Sequence, residues 1–272
     1  IERFETVLIK EKPDLVLVVG DVNSTAACAI TAKKMGIPIA HVEAGLRSFD
    51  QKMPEEINRI ITDHISDMLF VSEQSGIKNL KKEGIKSPKI FFTGNVMIDT
   101  LIDSMPQIEK SVILEKNNLK DKRIILATIH RPSNVDSKEK LEKILEILSK
   151  IEKDSTIVFP MHPRTKKNIE SFGLDENFKK LGNILILDPL EYFDLIKILK
   201  NSWMVITDSG GIQEEAAFLK IPTITIRENT ERPATVFCGA NTITGLNSKK
   251  IAAQIKKISS KKYPNIKNIP LY

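Results

Sequence analysis

Apolar, largely β-branched runs alternate with amphipathic stretches along most of the chain. The runs fall at 15–19 (LVLVV), 37–42 (IPIAHV), 68–71 (MLFV), 90–93 (IFFT), 124–129 (IILATI), 156–160 (TIVFP), 184–188 (ILILD), 204–207 (MVIT) and 223–226 (TITI). Strands this continuously apolar suit a parallel sheet covered on both faces. Between them lie helix-period segments such as LEKILEILSKI at 141–151. That alternation predicts βα units and doubly wound α/β sheets. Residues 100–122 are polar, lysine-rich and without an apolar run, and they read as a linker between two such domains. The expected division is 1–104 and 105–272. The opening IERFETVLIKEK reads as an amphipathic helix entered midway, and its first residue is Ile1 rather than Met. The expectation is therefore a first domain that lacks its natural start.

In open α/β sheets ligands sit beyond the carboxyl ends of the strands, so the residues after each run carry the candidate chemistry. LVLVV is followed by Gly20 and Asp21, with Asn23 or Ser24 placed to cap the next helix. IPIAHV is followed by Glu43, and MPEEINR opens a helix with Glu55 and Glu56 in its first turn. Each acid is readable as a mere cap or dipole partner. Three carboxylate sites in one half nevertheless form the pattern that acid–base chemistry needs. IILATI ends at His130 and Arg131, and TIVFPM at His162-Pro163-Arg164; such pairs bind an anion, move a proton, or simply face solvent. His41 and His64 read as structural. The most specific element is TDSGGIQEEA, which follows MVIT and opens a helix. Ser209, Gly210 and Gly211 let backbone N–H groups approach a ligand at a helix N-terminus, which makes a phosphate cradle. Glu215, two turns further on, is placed for a ribose diol. Neither a Walker A loop nor GxGxxG is present. Arg232, after TITI, adds charge near the same crevice.

Composition narrows the classes. A 41% hydrophobic content supports a real core, and 6% aromatics argue against a base-stacking or carbohydrate-stacking module. The net charge is +6, with Lys249, Lys250, Lys256, Lys257, Lys261 and Lys262 clustered near the end. No arginine interleaves them, so they read as a solvated helix face rather than a nucleic-acid surface. A positive chain also suits an anionic substrate. Cys28 and Cys238 lie in no paired motif, and no apolar run reaches the ~20 residues of a membrane span. A reduced cytoplasmic protein, with no membrane or nucleic-acid partner, is expected.

GDVNST, HVEAGLRS, MPEEINR, HRPSNVD, DSGGIQEEA and ENTERP, in this order, resemble the non-hydrolysing UDP-N-acetylglucosamine 2-epimerases over nearly the whole chain. The resemblance implies the glycosyltransferase-B fold, with two Rossmann-like domains facing a cleft, and a homodimer. It implies Asp21, Glu43, Glu55 and His130 as the catalytic group. It implies Arg131, Ser209, Gly210, Gly211, Glu215 and Arg232 around the UDP-sugar, and neither metal nor redox cofactor. The family reaction removes the C2 proton, expels UDP to give a 2-acetamidoglucal, and re-adds UDP after reprotonation from the opposite face. Three departures stand out. No GTRPE-like opening loop is present, the chain stops at Leu271-Tyr272 before the family's final helix, and Pro132-Ser133 replace the glutamate pair of many members. A 2-epimerase of another UDP-sugar, such as UDP-2,3-diacetamido-glucuronate, shares these acids. A glycosyltransferase of the same fold shares only the Ser-Gly-Gly loop, and a non-catalytic nucleotide-sugar binder would show no turnover.

Overall fold

In the computed structural model of the chain, the described residues are 1–151, 155–260 and 265–267. They divide into two compact units. One comprises residues 1–96 with Thr230–Ala234, and the other Met97–Asn229 with the residues from Thr235 onward.

The first unit holds a parallel sheet of β1 (Val16–Val19), β2 (Ile39–Val42), β3 (Met68–Val71) and β4 (Ile90–Phe92), in that spatial order. Helix α1 (Glu2–Glu11) precedes β1, and α2 (Asn23–Lys34), α3 (Pro54–Ile65) and α4 (Gln74–Lys82) connect the strands. Leu8, Val16, Val18, Ala29, Ala32 and Ile39 form one buried cluster, and Ala44, Leu69, Val71 and Leu80 another. Strand β1 lies at the sheet edge and alternates in burial, with Leu17 and Val19 exposed. The turn after β2 passes so close to α4 that a Cβ on Gly45 would lie 2.6 Å from the Gly76 carbonyl oxygen. Only glycine tolerates that approach together with its φ of +81°.

The second unit has six parallel strands: β5 (Ile124–Thr128), β6 (Thr156–Pro160), β7 (Ile184–Leu187), β8 (Ser202–Thr207), β9 (Thr223–Thr225) and β10 (Asn241–Ile243). Their helices are α5 (Val96–Lys110), α6 (Ile113–Lys116), α7 (Pro132–Val135), α8 (Lys138–Ile151), α9 (Pro163–Ser171), α10 (Asp175–Lys179), α11 (Tyr192–Lys200), α12 (Gly210–Phe218), α13 (Pro233–Phe237) and α14 (Ser248–Ser259). The spatial order is β10-β9-β8-β5-β6-β7. The chain runs outward from β5 to β7, returns, and runs the other way from β8 to β10. The boundary between β5 and β8 is thus the topological switch point, where ligands bind in such sheets.

Two sequence expectations need correction. Residues 100–122 do not form a bare linker, because α5 and α6 bury Leu101, Ile108, Ile113 and Leu114. The expected boundary at 104/105 falls inside α5. Strand β10 went unread because Asn241-Thr242-Ile243 contains a single apolar residue, and its pairing with β9 is completed by a buried bond from Thr225 Oγ1 to Asn241 Oδ1 at 2.7 Å. Of the lysine cluster, Lys249, Lys250, Lys256 and Lys257 are exposed on α14, while Lys261 and Lys262 lie outside the described residues. No helix among the described residues is long and apolar enough to cross a membrane.

Candidate functional site

At the switch point of the second unit, the carboxyl ends of the strands open into a pocket of about 350 Å³. His130, His162, Tyr192, Ser209, Gly211 and Glu215 line it, beside apolar residues such as Leu190 and Ile212. Ser209 is the N-cap of α12 and makes no side-chain capping bond, and its N–H donates to Thr207 Oγ1 at 2.9 Å. Gly210 and Gly211 form the first turn, so the positive end of the helix opens at the pocket. A Cβ on Gly211 would meet the Met97 methyl at 2.9 Å.

Asp208, wholly buried, organises the neighbouring strand end. Its carboxylate accepts the N–H of His130 at 3.0 Å, the N–H of Arg131 at 2.9 Å and the amide of Asn134 at 2.9 Å. The turn after β5 is therefore clamped to the end of β8. The His130 ring stacks on His162 with centroids 5.5 Å apart. Burial lowers the His130 pKa, and Arg131 and His162 push the same way against Asp208. A neutral ring is thereby favoured near neutral pH. Glu215, 3% exposed, has its carboxyl raised to about 7 by burial, partly offset by a hydrogen bond from Tyr192. Burial and the Glu215 charge raise the Tyr192 phenol in turn.

In the first unit, Asp21 follows Gly20, whose φ of +70° ends β1. Asp21 Oδ2 accepts from Arg59 Nε at 3.1 Å. The expected capping by Asn23 or Ser24 is not made: Val22 is the N-cap of α2, and Asn23 Oδ1 instead accepts from Asn58 at 3.0 Å. Glu43 sits at φ +68°, and its Oε2 accepts from Arg232 Nη2 at 2.9 Å. Arg232 thus pairs with an acid of the first unit, to whose segment it belongs, and is not among the residues lining the pocket of the second. Glu55 is half-buried in the first turn of α3. Its neighbour Glu56 is wholly buried and structural, accepting the N–H groups of Ser48 and Phe49 at 2.9 and 2.8 Å and pairing with Arg59. The structure therefore gathers His130, Ser209, Gly211 and Glu215 around one pocket, with Gly210 and the backbone of Arg131 beside it. It places Asp21, Glu43 and Glu55 in the first unit.

Three residues escaped the sequence reading. Asp208 stood inside the quoted motif as an acid at a strand tip, which was signal enough. Arg59 follows Glu55 by four residues on one helix face and was equally legible. Tyr192 had no local signal.

A sequence model of the UDP-N-acetylglucosamine 2-epimerase family matches residues 1–272. A UDP-N-acetylglucosamine 2-epimerase homolog of Methanococcus maripaludis is 49% identical over 95% of this chain and 72% of its own length. The UDP-2,3-diacetamido-2,3-dideoxy-D-glucuronate 2-epimerase of Pseudomonas aeruginosa is 45% identical over 89% of this chain and 67% of its own. Among solved structures, Methanocaldococcus jannaschii UDP-GlcNAc 2-epimerase in complex with UDP-GlcNAc and UDP superposes with a TM-score of 0.91 at 44% identity. That match covers 98% of this chain and 75% of the other.

Proposed function

Because the chain belongs to the UDP-N-acetylglucosamine 2-epimerase family, we propose that it interconverts UDP-N-acetylglucosamine and UDP-N-acetylmannosamine. The observation that carries this reading is the pocket at the switch point. It presents an uncapped helix N-terminus, a desolvated histidine and a buried carboxyl beside apolar walls. These suit a diphosphate, its bridging oxygen, a ribose diol and a base, respectively. Ser209, Gly210 and Gly211 hold the diphosphate, with Arg131 beside them. Glu215 takes the ribose hydroxyls, and His130 hydrogen-bonds the departing phosphate oxygen. Asp21, Glu43 and Glu55 are assigned to proton transfer at C2, and Arg232 to holding Glu43 and the substrate's negative charge.

The reaction balances without a redox partner. A carboxylate takes the C2 proton, the C1–O bond to UDP breaks, and its electron pair leaves with UDP as the C1–C2 double bond forms. The UDP oxygen then attacks C1 while a proton arrives on the opposite face of C2. The C2 proton is weakly acidic, so stabilising the UDP anion drives the step, and the helix dipole and cations serve catalysis as well as binding. The resemblance further supports a cytoplasmic homodimer in polysaccharide biosynthesis, and the free thiols of Cys28 and Cys238 accord with a reducing compartment. A second reading, a 2-epimerase of UDP-2,3-diacetamido-glucuronate, is favoured by the Pseudomonas aeruginosa relative.

The test is deuterium incorporation at C2 in D₂O, with both UDP-sugars offered separately. Asp21→Asn, Glu43→Gln and Glu55→Gln are each expected to lower kcat by about 10²–10⁴ with little change in KM. If all three variants melt lower yet turn over normally, the acids only cap helices and the assignment fails.

A further inference from the structure

His41 lies within β2 and is wholly buried. Its Nε2 stands 2.9 Å from the Gly20 carbonyl oxygen. A carbonyl can only accept, so Nε2 carries a proton. Its Nδ1 stands 2.7 Å from Oδ1 of Asp63 on α3. Asp63 is also wholly buried; its Oδ2 accepts the N–H of Gly45 at 3.0 Å and faces Arg47 Nη1 at 2.7 Å. Those two donors suit a carboxylate. A neutral ring protonated on Nε2 would point its Nδ1 lone pair at that carboxylate. A proton therefore lies between Nδ1 and Oδ1 and joins the ring to the carboxyl group.

The surroundings satisfy the pair's remaining groups. Arg47 forks onto Glu83 with contacts of 2.8 and 2.7 Å, so its guanidinium lies between Asp63 and Glu83. Burial works to lower the Arg47 pKa, but the bonds and charges of Glu83 and Asp63 outweigh it and raise it. A buried ion network is costly unless its geometry is good and its remaining groups are bonded, which holds here.

Both ends of the pair terminate on turn backbone. Gly20 immediately precedes Asp21, and Gly45 closes the turn that begins at Glu43. Glu43 itself holds a left-handed φ of +68°, a conformation that persists only where surrounding bonds impose it. The Asp63–Gly45 bond is one of them.

We propose that His41 and Asp63 form a positioning pair, a buried hydrogen-bonded unit sharing one proton, that fixes the Asp21 and Glu43 turns relative to each other for proton transfer. The proposal rests on the assignment of those two acids to the chemistry. Asp63→Asn tests it with little change of shape. The amide can donate to a neutral Nδ1, while its oxygen still accepts from Gly45. His41→Gln keeps a donor for Gly20 but loses the bridge.

Ring ¹⁵N–¹H NMR of the full chain is expected to show one proton on His41 Nε2 and a second proton held between Nδ1 and Asp63. In Asp63→Asn the bridging signal disappears. Each variant is expected to lower kcat about ten- to a hundred-fold, since small misplacements of reacting groups carry such costs. The Kd for UDP, measured by calorimetry, stays within about two-fold because the nucleotide pocket is untouched. Absence of that bridging proton in the native protein overturns the proposal, and that measurement decides even if a variant does not fold. So does a folded Asp63→Asn with native kcat while Asp21→Asn and Glu43→Gln are slow. If those two acid variants keep native kcat, the assignment of the acids falls instead.

Discussion

Replacing Glu215 with Gln removes a carboxyl that burial holds at about 7 against an ordinary 4.5. Between those values the folded protein keeps a proton that the unfolded chain has released. The stabilising contribution of protonated Glu215 is therefore complete below pH 4.5 and is lost as pH rises through about 7. The displacement corresponds to about 3 kcal/mol, and the side chain is 3% exposed, so solvent screening reduces it little. Gln is close in volume, carries no charge and can still accept from the Tyr192 hydroxyl. Urea unfolding of native and variant proteins at several pH values measures the effect. The free-energy difference, native minus variant, is expected to fall by about 2–3 kcal/mol between pH 4.5 and about pH 8. Taking the difference cancels the opposite trend of exposed carboxylates such as Glu109, which Lys197 and Lys200 hold down at about 2. A difference that is flat or rises with pH would refute the claim that Glu215 is buried against its charge.

Two further outcomes follow from the geometry. Asp208→Asn turns an amide toward backbone donors that now share a carboxylate, and is expected to cost about 3–5 kcal/mol in urea unfolding and to weaken UDP binding at least ~10-fold, because charge-assisted bonds are lost and donors left unsatisfied; a cost within about 1 kcal/mol would mean that Asp208 does not clamp the β5 and β8 ends. Gly20→Ala has open space around the added methyl and is expected to cost only the left-handed strain of about 1–2 kcal/mol, whereas Gly45→Ala meets the Gly76 backbone at 2.6 Å and is expected to exceed about 3 kcal/mol, so equal melting temperatures for the two variants would contradict the packing.

Much of this was legible along the chain. Nine apolar runs announced nine of the strands, since a strand buried on both faces must be apolar at successive positions. The polar residues just beyond them pointed to His130 and Ser209, which line the pocket, and to Asp21 and Glu43, which stand at strand ends of the first unit, since a parallel sheet turns its carboxyl ends outward there. Helix α5 misread as a linker because Pro106 and scattered polar residues interrupt its apolar stripe, although Leu101 and Ile108 are wholly buried. Pairing was the greater loss. No local pattern says that Asp208 gathers three donors from the turn after β5, that Arg232 reaches Glu43 across 189 positions, or that His41 lies between Gly20 and Asp63. Periodicity reports which face of an element is buried, a property of neighbouring residues. The partner and proton of a buried polar group are set by atoms distant in sequence, and only the folded chain brings those within hydrogen-bond reach.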